Sequence, residues 1–287
     1  MSPSCIALPA GEWPLVIDFL AERFAAIPRE ELLARMRRGD VVDEHGASVF
    51  PEQSYRAHQK IYYYRSIVDE PRIPFDEVVL FQDDYLLVVD KPHFLPVIPA
   101  GRYLQETLLV RLKRKLGIDT LAPMHRIDRE TAGLVLFTIQ PDRRGAYQSL
   151  FSQHKVSKSY QAVAPYRTDL TLPLRYRSRL VDSESFMRME EVAGEPNAET
   201  QIEVIERLGE YARYQLRPVT GKRHQLRVQM AALGIPILND RIYPEHLAET
   251  DEVYSKPLQL LAESIGFMDP ITGQMREFSS QRKLIAR

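Results

Sequence analysis

Cysteine is nearly absent from this chain of 287 residues. The single Cys5 excludes an internal disulfide and any zinc site built on several thiolates. Such sparing use fits a reducing compartment. Long apolar runs are missing too, and no stretch supplies the about twenty residues that a membrane-spanning helix requires. The N-terminus has no basic segment followed by an apolar one, so a secretory signal is not expected and a cytoplasmic location is. Glycine loops of the G-x-G-x-x-G or Walker kind are absent, as is H-E-x-x-H. No cofactor, nucleotide or metal ion is therefore expected. Net charge is also small, at -1, which at first sight argues against a protein that grips phosphate.

The distribution of charge says otherwise. Between Arg213 and Arg241 stand six basic residues (Arg213, Arg217, Lys222, Arg223, Arg227, Arg241) against one acid, Asp240, whereas Asp182 to Glu210 and Glu245 to Glu252 are rich in acids. Charge clusters are commonly solvated faces, but here the basic ones coincide with the motif blocks described below. A hydrophobic content of 44% and a charged content of 27% belong to a soluble globular protein. The length suits a catalytic domain with a small appended module.

Two helical patterns, Trp13 to Phe24 and Arg29 to Arg38, are separated by Pro28 and closed by Gly39. A turn at Glu44-His45-Gly46 and a strand from Lys60 to Val68 follow. Two short helices and a hairpin, with Arg35, Arg37 and Arg38 ending the second helix, resemble an S4-type RNA-binding module over residues 1–68. Asp69 to Pro74 reads as a linker. Beyond it, strands are expected at Val78 to Phe81 and Tyr85 to Val89, and a helix from Leu104 to Leu116 ending at Gly117. A second helix is expected from Pro141 to Ser152, and a strand from Lys158 to Ala164. Strands at Thr200 to Ile205 and Arg213 to Pro218 precede a helix from Lys222 to Leu233, with Thr220 as its cap and Gly234 as its stop. Leu258 to Phe267 and Met275 to Phe278 read as a hairpin.

The most informative stretch is His125-Arg126-Ile127-Asp128-Arg129-Glu130-Thr131-Ala132-Gly133, followed by the apolar run Leu134 to Phe137. A run of that length bounded by glycine is the pattern of a buried strand, and it presents one aspartate at its head. The block resembles the signature of the RluA-type RNA pseudouridine synthases. Thr220 to Arg227 reproduces that family's Thr-Gly-x-x-His-Gln-x-Arg block, and Lys158-Ser159-Tyr160-Gln161-Ala162 matches its Lys-x-Tyr-x-Ala strand. The likeness covers residues 76 to 280.

The resemblance implies an α+β protein: a mixed, largely antiparallel central sheet with flanking helices over residues 76–287, behind the S4-like module. It implies isomerisation of uridine to pseudouridine in structured RNA, rRNA or tRNA, by a monomer that needs no cofactor. Asp128 is then the nucleophile and Arg227 its cation. A carboxylate attacks only while ionised, and desolvation by substrate disfavours that form. A guanidinium never deprotonates and grips a carboxylate in a two-point fork. Tyr160 supplies a face for uracil and a hydroxyl for proton transfer. Chemistry on a stacked base requires extruding it, and Arg126 is placed to fill the vacated space. His125 orients the loop by hydrogen bonding and joins Arg126, Lys158, Lys222, Arg223 and His224 as contacts to RNA, the last three at a helix N-terminus that favours phosphate. Attack at C1' and attack at C6 both remain open.

The chain departs from the family at three places. Lys91-Pro92-His93-Phe94 stands where Lys-Pro-x-Gly is common, Gln229 follows Arg227-Val228 in place of His, and Leu261 replaces a frequent His. Two other readings stay open at this point. One is an RNA-binding assembly factor that keeps the fold without the chemistry. The other is a glycoside-type hydrolase, which needs a second carboxylate at fixed separation, with Glu130 as the near neighbour.

Overall fold

The computed structural model describes residues 4–25, 27–63, 70–183, 188–245 and 254–284. The chain divides into two compact units, Met1–Asp69 and Glu70–Arg287. In the first, strands β1 (Ser4–Ala7), β2 (Val41–Asp43) and β3 (Lys60–Tyr63) form a sheet in the order β1-β3-β2, accompanied by helices α1 (Val16–Arg23) and α2 (Arg29–Arg37). Val16, Ile17, Leu20, Leu32 and Met36 from the helices meet Val41 and Ile61 from the strands in one core. Residues 64–68 of the expected strand lie outside the described residues.

The second unit is a sheet of eleven strands. In chain order it contains β4 (Val78–Gln82), β5 (Leu86–Lys91), α3 (Leu108–Leu116), β6 (Ala122–Pro123), β7 (Ala132–Thr138), a 3-10 turn at Pro141–Arg143 and α4 (Arg144–Ser152). There follow β8 (Val156–Pro165), β9 (Leu174–Asp182), β10 (Met189–Val192), β11 (Ala198–Leu208), β12 (Tyr211–Pro218), α5 (Gln225–Ala232), β13 (Leu260–Met268) and β14 (Met275–Ser279). The sheet order is β10-β9-β11-β12-β8-β13-β7-β5-β4, with β14 paired to β13 and β6 to β7. Among the described residues every pairing is antiparallel except that of β13 with β7. This is the mixed, largely antiparallel sheet with flanking helices that the sequence led us to expect.

The parallel contact sits at the centre, where Leu261 faces Ala132 and Ala262 faces Gly133. Gly133 has φ +108, and a Cβ there would lie 2.2 Å from the Ala262 carbonyl oxygen. Only glycine lets the two halves of the sheet meet so closely. Gly133→Ala is expected to cost more than about 2 kcal/mol, through strain at positive φ and a backbone clash that cannot relax. Chemical denaturation measures it, and an unchanged midpoint would show that the strands separate freely here.

Three expectations from the sequence need correction. Asp69 to Pro74 is not a free linker, since Ile73 is buried and its N–H donates to Glu106 at 3.0 Å. Helix α3 starts at Leu108 rather than Leu104. The Glu70 carboxylate accepts from the amides of Leu104, Gln105 and Glu106, which holds them in a turn, and Thr107 caps the helix instead. Helix α5 starts at Gln225 rather than Lys222, and its cap is His224 rather than Thr220. Gln225 is the reason: its Oε1 accepts from Thr220 Oγ1 and from the Lys222 amide, so residues 220–223 close into a loop before the helix begins.

Candidate active site

Asp128 projects from the loop between β6 and β7. Strand β7 is buried along its whole length, and the Met124 amide donates to Leu136 O at 2.8 Å, so the loop springs from fixed backbone. A turn closes it, with the Thr131 amide donating to Asp128 O at 3.2 Å. Tyr160 on β8 faces Ala262, which in turn faces Gly133. This rung sets the tyrosine beside the loop. Arg227 arrives from α5, whose Leu226 and Met230 pack on Ala162, Tyr214 and Leu216 of the sheet.

These three side chains are brought together. Arg227 Nη1 donates to Asp128 Oδ2 at 3.1 Å across a sequence separation of 99 residues, and lies 3.8 Å from Glu130 Oε2. The two-point fork, however, is spent elsewhere. Arg227 Nε and Nη2 grip Asp240 at 2.8 and 2.7 Å, so Asp128 receives a single contact rather than the fork expected of it. Burial works against the charged guanidinium, but the hydrogen bond to Asp240 and the charges of Asp128, Asp240 and Glu130 outweigh it and leave its pKa raised. Arg227 is a permanent cation. Burial, and then the charge on Asp128, push the Tyr160 hydroxyl up as well. It enters the site as a neutral phenol.

Two residues that the sequence marked only as part of a departure from the family hold the loop from below. Lys91 is fully buried, and its Nζ donates to the carbonyls of Pro92 (2.9 Å), Leu95 (2.8 Å) and Arg129 (3.0 Å), the last being the residue after Asp128. Burial pulls this amine down to about 7, while Glu130 and Asp128 oppose the shift. His93 Nδ1 donates to Glu130 O at 2.6 Å. Phe94, in the place where the family commonly has glycine, sits at φ +67 and is buried against Phe75 and Tyr254. Gln229 accepts from Thr200 Oγ1 and donates to Ser178 Oγ, so it is a buried strut. Leu261 is buried on β13.

The expected RNA contacts separate into two groups. Arg126, Lys222 and Arg223 are exposed, and Lys158 is half-buried with its Nζ 3.5 Å from Thr220 O. His125 is only partly exposed. It stacks on Phe151 and its Nε2 accepts from the Leu136 amide, so it braces the loop by hydrogen bonding, as expected. His224 is also turned inward, toward Asp128. In the first unit Arg37 is exposed, while Arg35 pairs with Glu31 at 2.8 Å and Arg38 with Asp40 at 3.0 Å.

The interior histidines give the fold a pH signature. Burial lowers His93 to about 4 and His125 to about 3, against an ordinary 6.5. The unfolded chain therefore binds more protons below 6.5, and stability falls as pH drops from 6.5 toward 4. Each ring contributes at most about 1.4 kcal/mol per pH unit in that window. Urea midpoints should decrease between pH 7 and 5, and His125→Gln should flatten the decrease. A midpoint constant over that range would contradict two partly buried rings that stay neutral.

Known proteins share the fold of this unit and much of its sequence. Residues 85–232 match the RNA pseudouridylate synthase family. The chain belongs to the RNA pseudouridine synthases of the RluA type, enzymes that isomerise uridine to pseudouridine. It is 32% identical over 212 residues to the dual-specificity RNA pseudouridine synthase RluA of Haemophilus influenzae, covering 71% of this chain and 92% of that protein. An uncharacterized RNA pseudouridine synthase of Synechocystis is 29% identical over 234 residues, 79% of each chain. Human RNA pseudouridylate synthase domain containing 1 shares the fold, with a TM-score of 0.60 over 75% of this chain and 86% of that one at 20% identity. Among the described residues no helix is long and apolar enough to cross a membrane, and no group of acids, histidines and cysteines is arranged to hold a metal ion.

Proposed function

We propose that Asp128 is the nucleophile of this isomerase, that Arg227 keeps it charged, and that Tyr160 is the platform for the uracil ring. The observation that carries the reading is the Arg227 to Asp128 pair, formed at 3.1 Å between a loop and a helix distant in sequence. Pseudouridine formation breaks the N1 to C1' bond, turns the base and rejoins it through C5. Nothing is oxidised and no group is imported. The need is a carboxylate that stays ionised while substrate displaces water, and a buried, permanently charged guanidinium meets it. Tyr160, as a neutral phenol, stacks on the ring and donates a hydrogen bond. Glu130 does not fit the acid of a hydrolase. Burial would raise it, but Arg129 and Arg227 hold it below the usual carboxylate range, whereas a general acid must keep its proton.

The substrate is structured RNA, rRNA or tRNA, bound by a cytoplasmic monomer. Arg126 fills the space left by the extruded base, and Lys158, Lys222 and Arg223 line the phosphates beside the site. Isomerisation should proceed in the presence of chelators and after exhaustive dialysis. Mass-spectrometric nucleoside analysis of a treated RNA pool checks this, and dependence on a divalent ion beyond RNA folding would contradict it.

Met1–Asp69 is an S4-like unit that adds affinity. Deleting it should flatten the salt dependence of binding, by about 0.7 to 0.9 in slope for each phosphate that the protein no longer neutralises. Turnover at saturating RNA should stay comparable, because Asp128, Tyr160 and Arg227 all lie in Glu70–Arg287. An unchanged slope would make the unit a passive cap.

A further inference from the structure

The two oxygens of Asp128 are not equivalent. Oδ2 takes the Arg227 hydrogen bond, while Oδ1 faces His224 Nε2 at 3.8 Å. His224 is an unusual residue to find there. Its backbone is left-handed, with φ 53, its side chain is only 12% exposed, and it caps α5 with no side-chain hydrogen bond to the helix. A strained backbone at a reactive carboxylate is where a functional constraint is expected. The ring is also held from behind, since His224 Nδ1 lies 3.0 Å from the Tyr243 hydroxyl oxygen.

Tyr243 bears on which nitrogen carries the proton. Its oxygen accepts from the Met189 amide at 2.7 Å, and the phenolic proton can then go to His224 Nδ1, 3.0 Å away. A neutral imidazole accepting at Nδ1 is protonated at Nε2. The N–H is then on the nitrogen that lies 3.8 Å from Oδ1. Burial keeps the ring neutral against the charge of Asp128, and Arg227 and Arg223 also disfavour a second proton. Tyr243 is fixed in turn by Asp240, whose Oδ1 accepts from the amides of Ile242 and Tyr243 at 2.9 and 3.1 Å. Asp240 therefore anchors both arms, the guanidinium on Oδ2 and the tyrosine behind the imidazole facing Oδ1.

We propose that His224 is a further catalytic residue, whose Nε2–H, now 3.8 Å from Oδ1 of Asp128, closes to a hydrogen bond when substrate tightens the site, and that Tyr243 is the positioning residue that sets this tautomer. Oδ1 is then the attacking oxygen. When the covalent bond between Oδ1 and the substrate carbon breaks, its electron pair returns to the carboxylate, and the imidazole N–H stabilises the charge that reappears. No proton leaves or joins the histidine in this step. The proton that C5 loses is removed separately. Such a donor acts more strongly on the departing carboxylate than on the bound ester, which is the condition for lowering a barrier.

This inference rests on Asp128 being the nucleophile. The test uses the full-length protein and a uridine-containing RNA that the wild type converts, with single-turnover rate and RNA affinity measured for His224→Asn, Tyr243→Phe and the double variant. Asparagine tolerates the left-handed backbone, and urea melts identify any variant that fails to fold. His224→Asn should slow the chemical step at least tenfold at saturating RNA with affinity within threefold, and Tyr243→Phe should slow it by a smaller factor. In the asparagine background, Tyr243→Phe should add nothing, because its effect runs through the histidine. A His224→Asn protein that is weak in affinity but fast at saturation would make His224 an RNA-binding residue and overturn the proposal, as would rates within twofold of wild type. Multiplying rate losses in the double variant would remove Tyr243 from the positioning role. Were His224→Asn unfolded, Tyr243→Phe alone would decide, since a folded variant at wild-type rate contradicts the tautomer argument. Failure of Asp128→Asn to block turnover would instead unseat the nucleophile.

Discussion

Asp128→Asn should abolish pseudouridine formation while leaving RNA affinity within a few-fold of wild type. The amide has the shape of the carboxylate but no charge with which to attack. Its surroundings limit the collateral damage. Asp128 is partly open to solvent, with 23% of its side chain exposed, and Arg227 keeps its fork on Asp240 when Asp128 is neutralised. The variant should therefore fold and bind. If, as proposed, binding is governed by phosphate contacts at residues such as Lys222 and Arg223, this change does not touch it. Nucleoside analysis after prolonged incubation reads the outcome, and turnover near wild type would remove Asp128 from the nucleophile's role.

The second large effect is expected at Arg227, where lysine is not a conservative substitute. The guanidinium presents Nε and Nη2 to Asp240 and Nη1 to Asp128 from one rigid plane. An ammonium is a single point and cannot reach both carboxylates in that geometry. Arg227→Lys should lower the rate at least about tenfold, or about 1.4 kcal/mol in the barrier. Arg227→Met should do more, because it leaves Asp128, Glu130 and the buried Asp240 without their shared cation. Breaking a buried pair in that way costs about 3 to 5 kcal/mol of stability. Single-turnover rates and urea melts of the two variants separate the effects, and equal rates for lysine and arginine would show that the fork has no part in the chemistry.

Much of this site could be read from the chain because it is carried by local patterns. The Leu134 to Phe137 run behind Gly133 marks a buried strand, and the blocks around Tyr160 and Arg227 have their own spacing. What escaped reading is what particular side-chain captures decide. Glu70 shortens α3 from a distant part of the chain, and Gln225 shortens α5 by turning its own side chain back on Thr220 and the Lys222 amide. Lys91 looked like half of a Lys-Pro pair, yet it ties three carbonyls together inside the protein. Strand β9 was hidden by charge, although Leu174, Tyr176, Ser178 and Leu180 alternate with Arg175, Arg177 and Arg179 in the period of a half-buried strand. Asp240 did leave a trace. It is the single acid within the basic stretch from Arg213 to Arg241, and in the structure it takes the fork of Arg227.

The most direct test is a transcriptome-wide pseudouridine map of cells that contain this protein, cells that lack it, and cells that carry only Asp128→Asn. At least one uridine in rRNA or tRNA should be converted in the first and unmodified in the other two. Identical maps in all three would contradict the assignment of Asp128 as the nucleophile of an RNA pseudouridine synthase.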